Sequence, residues 1–191
     1  LVVYFVPSRN PEEIKEATAP LLEMLKTELA NLGYEYENVK IINKDVLKTD
    51  IPSLIKEEFG GEIVSIAANL PYYITTPIIT TIIEAKLPIK NLVVMVQKEV
   101  AERIAAGPGS KTYGILSVLI QAWYKVEYLF TVHEHVFNPP PKVKSAVIRM
   151  TRNSKESLGC DEKLFISVVK TAFNQRRKTM RNSLKPLIRA K

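Results

Sequence analysis

The alternation of short apolar runs with helical segments is the feature that most constrains the fold of this chain. Residues 39–42, 63–67 and 92–97 are apolar runs of strand length, and helical segments are expected at residues 11–32, 77–85 and 98–106. Alternating strands and helices are typical of an α/β protein whose mostly parallel sheet is covered on both faces. In such sheets the ligand site lies beyond the carboxyl ends of the strands.

The second half of the chain predicts a different arrangement. A long apolar helix is expected at residues 113–124, followed by a strand pair at residues 126–132 and 145–150. Antiparallel strands of this kind commonly complete a mixed sheet. Residues 153–161 are expected to form a linker, with helices after it. We therefore predict an α/β core over residues 1–152 and a partial helical lobe over residues 153–191.

The charge of the chain is strongly polarised. The net charge is +7, but residues 1–85 carry 7 Lys and Arg against 13 Asp and Glu, whereas residues 86–191 carry 20 against 7. Residues 170–191 contain 8 basic residues and no acidic one. This asymmetry suits a polyanionic partner such as RNA. A solvated, charged helix face explains it equally well.

Several classes of protein are disfavoured by composition. No apolar run approaches the roughly 18 residues of a membrane-spanning helix, and no secretory signal precedes the first helix. The single cysteine, Cys160, cannot form a disulfide within the chain. We therefore expect a cytoplasmic protein without a membrane segment. We also expect a monomer. Residues 133–135 read His-Glu-His, but no third ligand motif accompanies them, so no metal is expected.

Four residues after the second predicted strand could act on an adenine base. An adenine amine is a poor nucleophile because its lone pair is delocalised into the ring, and acceptors for its two hydrogens favour the pyramidal nitrogen of a transition state. The amide oxygen of Asn69 and the backbone carbonyl of Leu70 or Pro71 are suitable acceptors. The ring of Tyr72 offers a stacking face for a base. The same residues also suit an ordinary strand-to-helix turn.

Longer motifs favour the first interpretation. Residues 69–79 read NLPYYITTPII, residues 93–118 read VVMVQKEVAERIAAGPGSKTYGILSV, residues 136–150 read VFNPPPKVKSAVIRM and residues 173–182 read FNQRRKTMRN. From about residue 39 to the end, the chain resembles the adenine dimethyltransferases that modify two adjacent adenosines near the 3′ end of small-subunit ribosomal RNA. The resemblance implies a Rossmann-like methyltransferase core, S-adenosylmethionine as methyl donor and small-subunit ribosomal RNA as partner.

The resemblance also implies roles for individual residues. The segment from Asn69 to Tyr72 would hold the target adenine, and Phe137 would enclose the base against Tyr72. Asp45 would accept a hydrogen bond from the adenine amine of S-adenosylmethionine, and Asn69 would also face that cofactor. Phosphate contacts would come from a basic set that the sequence can place along one helix: Arg176, Arg177, Lys178 and Arg181.

The N-terminal residues depart from the family pattern. The family has a Gly-rich loop after its first strand and an acidic residue at the end of its second, and neither is found here. We therefore expect a chain truncated at both ends that binds S-adenosylmethionine weakly or not at all. Two alternatives remain open. One is the macrolide-resistance type of large-subunit adenine methyltransferase, which residues 93–118 and 136–150 disfavour. The other is a non-catalytic RNA-binding or ribosome-assembly factor.

Overall fold

The computed structural model describes residues 48–189 except 85, 86 and 139, together with Thr27 and Ala30. The chain forms two compact units, residues 1–62 and 63–191. In the first unit, helix α1 spans Ile51–Phe59. The side chain of Asp50 caps its start by accepting from the backbone N–H of Ser53 at 3.3 Å. Gly60 ends it with a φ of 62°, a conformation that glycine adopts without a steric penalty.

The second unit is built on a mixed sheet. Its described strands are β1 Val64–Asn69, β2 Ile89–Gln97, β3 Tyr124–Val132 and β4 Ser145–Arg152, in the spatial order β1-β2-β4-β3. Strands β1 and β2 are parallel, whereas β4 is antiparallel to both β2 and β3. The predicted α/β class and the predicted antiparallel pair are therefore confirmed. The predicted strand at residues 39–42 lies outside the described residues.

Helices connect and cover these strands. Helix α2 (Thr75–Glu84) joins β1 to β2, and α3 (Lys98–Ala105) and α4 (Ile115–Trp123) lie between β2 and β3. After β4 come α5 (Glu162–Asn174), α6 (Met180–Ser183) and α7 (Lys185–Arg189). Short 3-10 turns occupy Tyr72–Ile74 and Glu134–Val136. None of the helices in the described ranges is long and apolar enough to cross a membrane.

The core lies between the sheet and helices α3 and α4. Helix α3 packs against β2, β3 and β4, and α4 packs against α3. The side chains at the centre are at most 1% exposed and come from both layers: Val94, Val96, Ala146, Ile148, Ile104 and Ile120. Burial of this apolar surface stabilises the sheet, and the sheet fixes the positions of the polar residues at its strand ends.

Several predicted boundaries shift in the structure, and two of these shifts have a clear local cause. Strand β1 extends to Asn69 instead of ending at residue 67, because the parallel ladder with β2 continues until the N–H of Leu70 donates to the Met95 carbonyl at 3.2 Å. Helix α2 begins at Thr75, two residues before Pro77. Proline is tolerated there because N–H groups of the first helical turn have no partner within the helix.

The prediction that the basic residues lie along one helix is wrong. Helix α5 ends at Asn174, and residues 175–178, here called the basic turn, lie outside any helix. Arg176, Arg177 and Lys178 belong to this turn, whereas Arg181 lies in α6. The N–H of Lys178 donates to the Gln175 carbonyl at 2.8 Å, which closes the turn. The four basic residues therefore do not lie at helical spacing along a common helix.

Candidate functional site

Several strand ends meet at one edge of the sheet. Asn69, the last residue of β1, pairs with Met95 near the carboxyl end of the parallel strand β2. Ser145, the first residue of β4, pairs with Gln97 at the end of β2 and with Val132 at the end of β3. The loops after β1 and β3 and the segment before β4 therefore start or finish at the same edge. Ligands of open α/β sheets bind outside the carboxyl ends of the parallel strands.

The segment after β1 offers two open hydrogen-bond acceptors. The Asn69 side chain is exposed, and no bond from another described residue reaches its amide. The carbonyl oxygen of Leu70 also receives no hydrogen bond within the described part of the chain, although the residue is only 7% exposed. Pro71 differs, because its carbonyl accepts from the N–H of Ile74 and from the hydroxyl of Thr75, both at 3.1 Å. The open pair is therefore Asn69 and Leu70.

The Tyr72 side chain is anchored to the sheet. Its hydroxyl lies 2.6 Å from the hydroxyl of Ser145, across 73 residues of sequence. Tyr72 is half-buried in the 3-10 turn, whereas the neighbouring Tyr73 is 73% exposed. The sheet thus anchors one of the two adjacent tyrosine rings.

Phe137 lies on the loop that follows β3. It ends the 3-10 turn Glu134–Val136, and its N–H donates to the Glu134 carbonyl at 3.2 Å. Its side chain is half-buried. The topology brings the Phe137 loop and the Tyr72 turn to the same sheet edge. Enclosure of a base between the two rings stays a prediction, and Asp45 lies outside the described residues.

Glu134 is the acidic residue of the loop between β3 and β4. The hydrogen bond from its own backbone N–H holds the pKa of its carboxyl below the ordinary value, and the positive charge of Lys144 acts in the same direction. Burial opposes this shift, and one carboxylate oxygen is buried without a partner from the described residues. The rings of His133 and His135 stack at 5.6 Å. No group of His, Cys, Asp and Glu able to hold a metal ion occurs in the described ranges.

The basic turn docks on the loop between α3 and α4. The Arg176 guanidinium donates to the Lys111 carbonyl at 3.3 Å and lies 5.7 Å from the centre of the Phe173 ring. Tyr113, in the same loop, meets Phe173 edge to face at 6.1 Å. Arg176 therefore has a structural role, whereas Arg177 is exposed and has no partner among the described residues. Lys178 and Arg181 are also exposed, so three cations of the predicted set point to solvent.

Sequence reasoning missed two residues of this site. Ser145 holds the Tyr72 hydroxyl, and Thr75 occupies the Pro71 carbonyl. The motif at residues 136–150 contains Ser145, but no local pattern indicates its partner because that contact depends on the sheet register. The Thr75 contact spans four residues, so a hydroxyl one turn after Pro71 was a usable signal.

Comparisons with known proteins agree on one family. Residues 14–191 match the family model described as ribosomal RNA adenine dimethylase. A ribosomal RNA small subunit methyltransferase A of Bacteroides thetaiotaomicron is 58% identical over 176 residues, which cover 91% of this chain and 64% of that protein. Its namesake from Phocaeicola vulgatus is 55% identical over 168 residues, covering 87% and 60%. This chain therefore spans less than two thirds of the length of these relatives.

Solved structures show a similar fold. A dimethyladenosine transferase from Plasmodium falciparum superposes with a TM-score of 0.72 at 26% identity, covering 96% of this chain and 59% of that one. The 23S rRNA methyltransferase ErmE superposes with a TM-score of 0.65 at 23% identity, covering 96% and 65%. At that lower identity the likeness to ErmE shows the fold alone.

Proposed function

Because the chain belongs to the ribosomal RNA adenine dimethylase family, we propose that it methylates the N6 amines of two adjacent adenosines near the 3′ end of small-subunit ribosomal RNA, with S-adenosylmethionine as methyl donor. The names of the relatives support a small-subunit substrate over a large-subunit one. The observation that carries the proposal is the pair of open acceptors on Asn69 and Leu70, at the carboxyl end of a parallel strand.

The two acceptors suit an exocyclic amine. S-adenosylmethionine, when bound, supplies an electrophilic methyl group. The side-chain oxygen of Asn69 accepts one amine hydrogen and the Leu70 carbonyl accepts the other, so the nitrogen lone pair is released from the ring. Pro71 cannot replace Leu70 because its carbonyl already accepts from two donors. The methylated nitrogen is strongly acidic and loses its proton to water, so this site requires no general base.

The aromatic residues hold the target base. A base must leave its stack to reach the acceptors, and stacking on an aromatic ring contributes about 1–3 kcal/mol per base. Tyr72 follows the acceptors directly in the chain, and its ring is fixed through Ser145. Phe137 lies on the loop after β3 at the same sheet edge and supplies the proposed second wall. Asp45 is the proposed acceptor for the adenine amine of the methyl donor.

The cations of the basic turn and of α6 provide affinity for the RNA backbone. Arg177, Lys178 and Arg181 are exposed cations, and they lie in a 22-residue stretch, residues 170–191, that contains no acidic side chain. Cations of this kind displace counterions from phosphates, so RNA binding weakens as salt rises. We assign phosphate contacts to these three residues and to Arg176. Arg176 has the additional role of docking the turn on the loop between α3 and α4. A ribosomal substrate also implies a cytoplasmic protein.

A methylation assay tests this proposal. The intact protein is incubated with unmethylated small-subunit particles and S-adenosylmethionine, and the RNA is digested and analysed by mass spectrometry. We expect N6,N6-dimethyladenosine at two adjacent positions near the 3′ end, and none in large-subunit RNA treated in parallel. Modification of the large-subunit RNA alone would support the macrolide-resistance type. Tight RNA binding with no methylation would support the assembly factor.

A further inference from the structure

We propose that Ser145 is a positioning residue whose buried hydroxyl sets the orientation of the Tyr72 ring for capture of the target adenine. The two hydroxyls lie 2.6 Å apart, and the Ser145 side chain is 0% exposed. The inference rests on the proposed function, since the Tyr72 ring is the proposed stacking face. It adds a residue from a distant strand to the site.

Ser145 is fixed by the sheet on both sides. It pairs with Gln97 of β2 and with Val132 of β3. The preceding carbonyl, that of Lys144, accepts from the N–H of Lys98 at 2.9 Å, which ties the start of β4 to the start of α3. Backbone held by two neighbouring strands, together with complete burial of the side chain, leaves the hydroxyl of Ser145 little freedom. It is therefore a rigid anchor for a flexible partner.

Tyr72 needs such an anchor because its own element is short. The 3-10 turn contains three residues, Tyr72–Ile74. The turn is closed by a hydrogen bond in which the Pro71 carbonyl accepts from the N–H of Ile74. That bond fixes the backbone, but the Tyr72 ring still rotates about two side-chain torsions. A hydrogen bond at the far end of the ring restricts both torsions at once.

The anchor lowers the ordering cost of base binding. A ring already oriented in the free protein loses less conformational freedom when a base stacks on it. Without the anchor, the same ring is still present but must be ordered by the base itself. Loss of the Ser145 hydroxyl is therefore expected to impair base capture, while affinity for the RNA backbone, which depends on the cations of the basic turn and α6, is retained.

A double-mutant cycle separates this role from general stability. In the intact protein, Ser145→Ala and Tyr72→Phe each remove the hydrogen bond and keep the ring. We expect each to lower kcat/KM for RNA by about 3- to 10-fold, the effect of one hydrogen bond, and to leave kcat at saturating RNA nearly unchanged. The double variant should be no worse than either single one, since the two changes remove the same bond.

A matched pair elsewhere in the sheet serves as control. The hydroxyls of Tyr128 and Thr131 also lie 2.6 Å apart, but Tyr128 is on β3 and outside the candidate site. Tyr128→Phe is expected to leave kcat/KM unchanged. Circular dichroism and thermal melting identify any variant that fails to fold, and Ser145→Thr, which restores a hydroxyl, should recover part of the lost activity.

A second measurement does not depend on methylation. RNA carrying 2-aminopurine at the target position reports stacking through fluorescence quenching, and we expect weaker quenching with Ser145→Ala and Tyr72→Phe than with the unaltered protein. Unchanged quenching in both variants, or additive losses in the double variant, would overturn the positioning role. Altered quenching with a protein that does not methylate RNA would support the positioning role and contradict the proposed function.

Discussion

Replacing Asn69 with alanine removes one of the two open acceptors at the end of β1. The Pro71 carbonyl cannot take over, because the N–H of Ile74 and the hydroxyl of Thr75 both donate to it at 3.1 Å. Loss of one preorganised hydrogen-bonding group at a reacting centre costs about 3–4 kcal/mol, or on the order of 10²- to 10³-fold in rate. The Asn69 side chain is exposed, so we expect a change in stability within about 0.5 kcal/mol.

The appropriate assay is a single-turnover reaction of the intact protein at saturating RNA and S-adenosylmethionine, with RNA affinity measured separately. Asn69→Ala should slow the reaction by about a hundredfold or more while RNA binding changes little. Asn69→Asp keeps an acceptor oxygen and loses the amide donor, so its loss should be smaller than that of alanine. An alanine variant that reacts at the normal rate refutes the mechanism. An aspartate variant as slow as alanine assigns the function to the amide nitrogen instead.

Asn91 provides the matched control for this substitution. It lies on β2 away from the site edge, where its side chain donates to Ser65 at 3.4 Å and accepts from Thr151 at 3.2 Å. Asn91→Ala therefore removes structural hydrogen bonds without touching the open acceptors. We expect lower thermal stability and an unchanged single-turnover rate. A slow Asn91→Ala variant would show that the rate responds to sheet stability alone.

The remaining predictions concern base capture, RNA binding and the cofactor. Tyr72→Ala and Phe137→Ala should raise KM for RNA by an amount that corresponds to about 1–3 kcal/mol of lost stacking; steady-state kinetics at varied RNA concentration measures this, and an unchanged KM contradicts it. Arg177→Gln and Lys178→Gln should weaken RNA binding and reduce the salt dependence of the binding constant by about one counterion each, as titrations at several salt concentrations would show. Arg176→Gln should in addition lower the melting temperature, because Arg176 docks the turn. The 191-residue chain should bind S-adenosylmethionine weakly or not at all in calorimetry, and micromolar or tighter binding would contradict the interpretation of its N-terminal residues.

Much of the fold and part of the site follow from local sequence. Strands β1, β2 and β4 overlap the apolar runs of the sequence. The α/β fold class and the antiparallel pair of strands β3 and β4 were predictable from the order of those runs and the helices. The segment from Asn69 to Tyr72 was a candidate because it sets hydrogen-bond acceptors beside an aromatic ring, and the longer motifs favoured that interpretation over an ordinary turn. These features depend on residues that are neighbours in the chain, so periodicity and motif spacing report them directly.

The tertiary structure decided which groups of the segment from Asn69 to Tyr72 are free to accept a hydrogen bond. Whether Leu70 or Pro71 presents an open carbonyl depended on how the 3-10 turn and α2 begin, and the structure leaves Leu70 open. The break after α5 removed the basic residues from a common helix. The partner of Tyr72 depended on the register of β4 between β2 and β3, which brings Ser145 to it across 73 residues. Strand register is set by packing and hydrogen bonding across the whole sheet, so no local pattern in the sequence contains it.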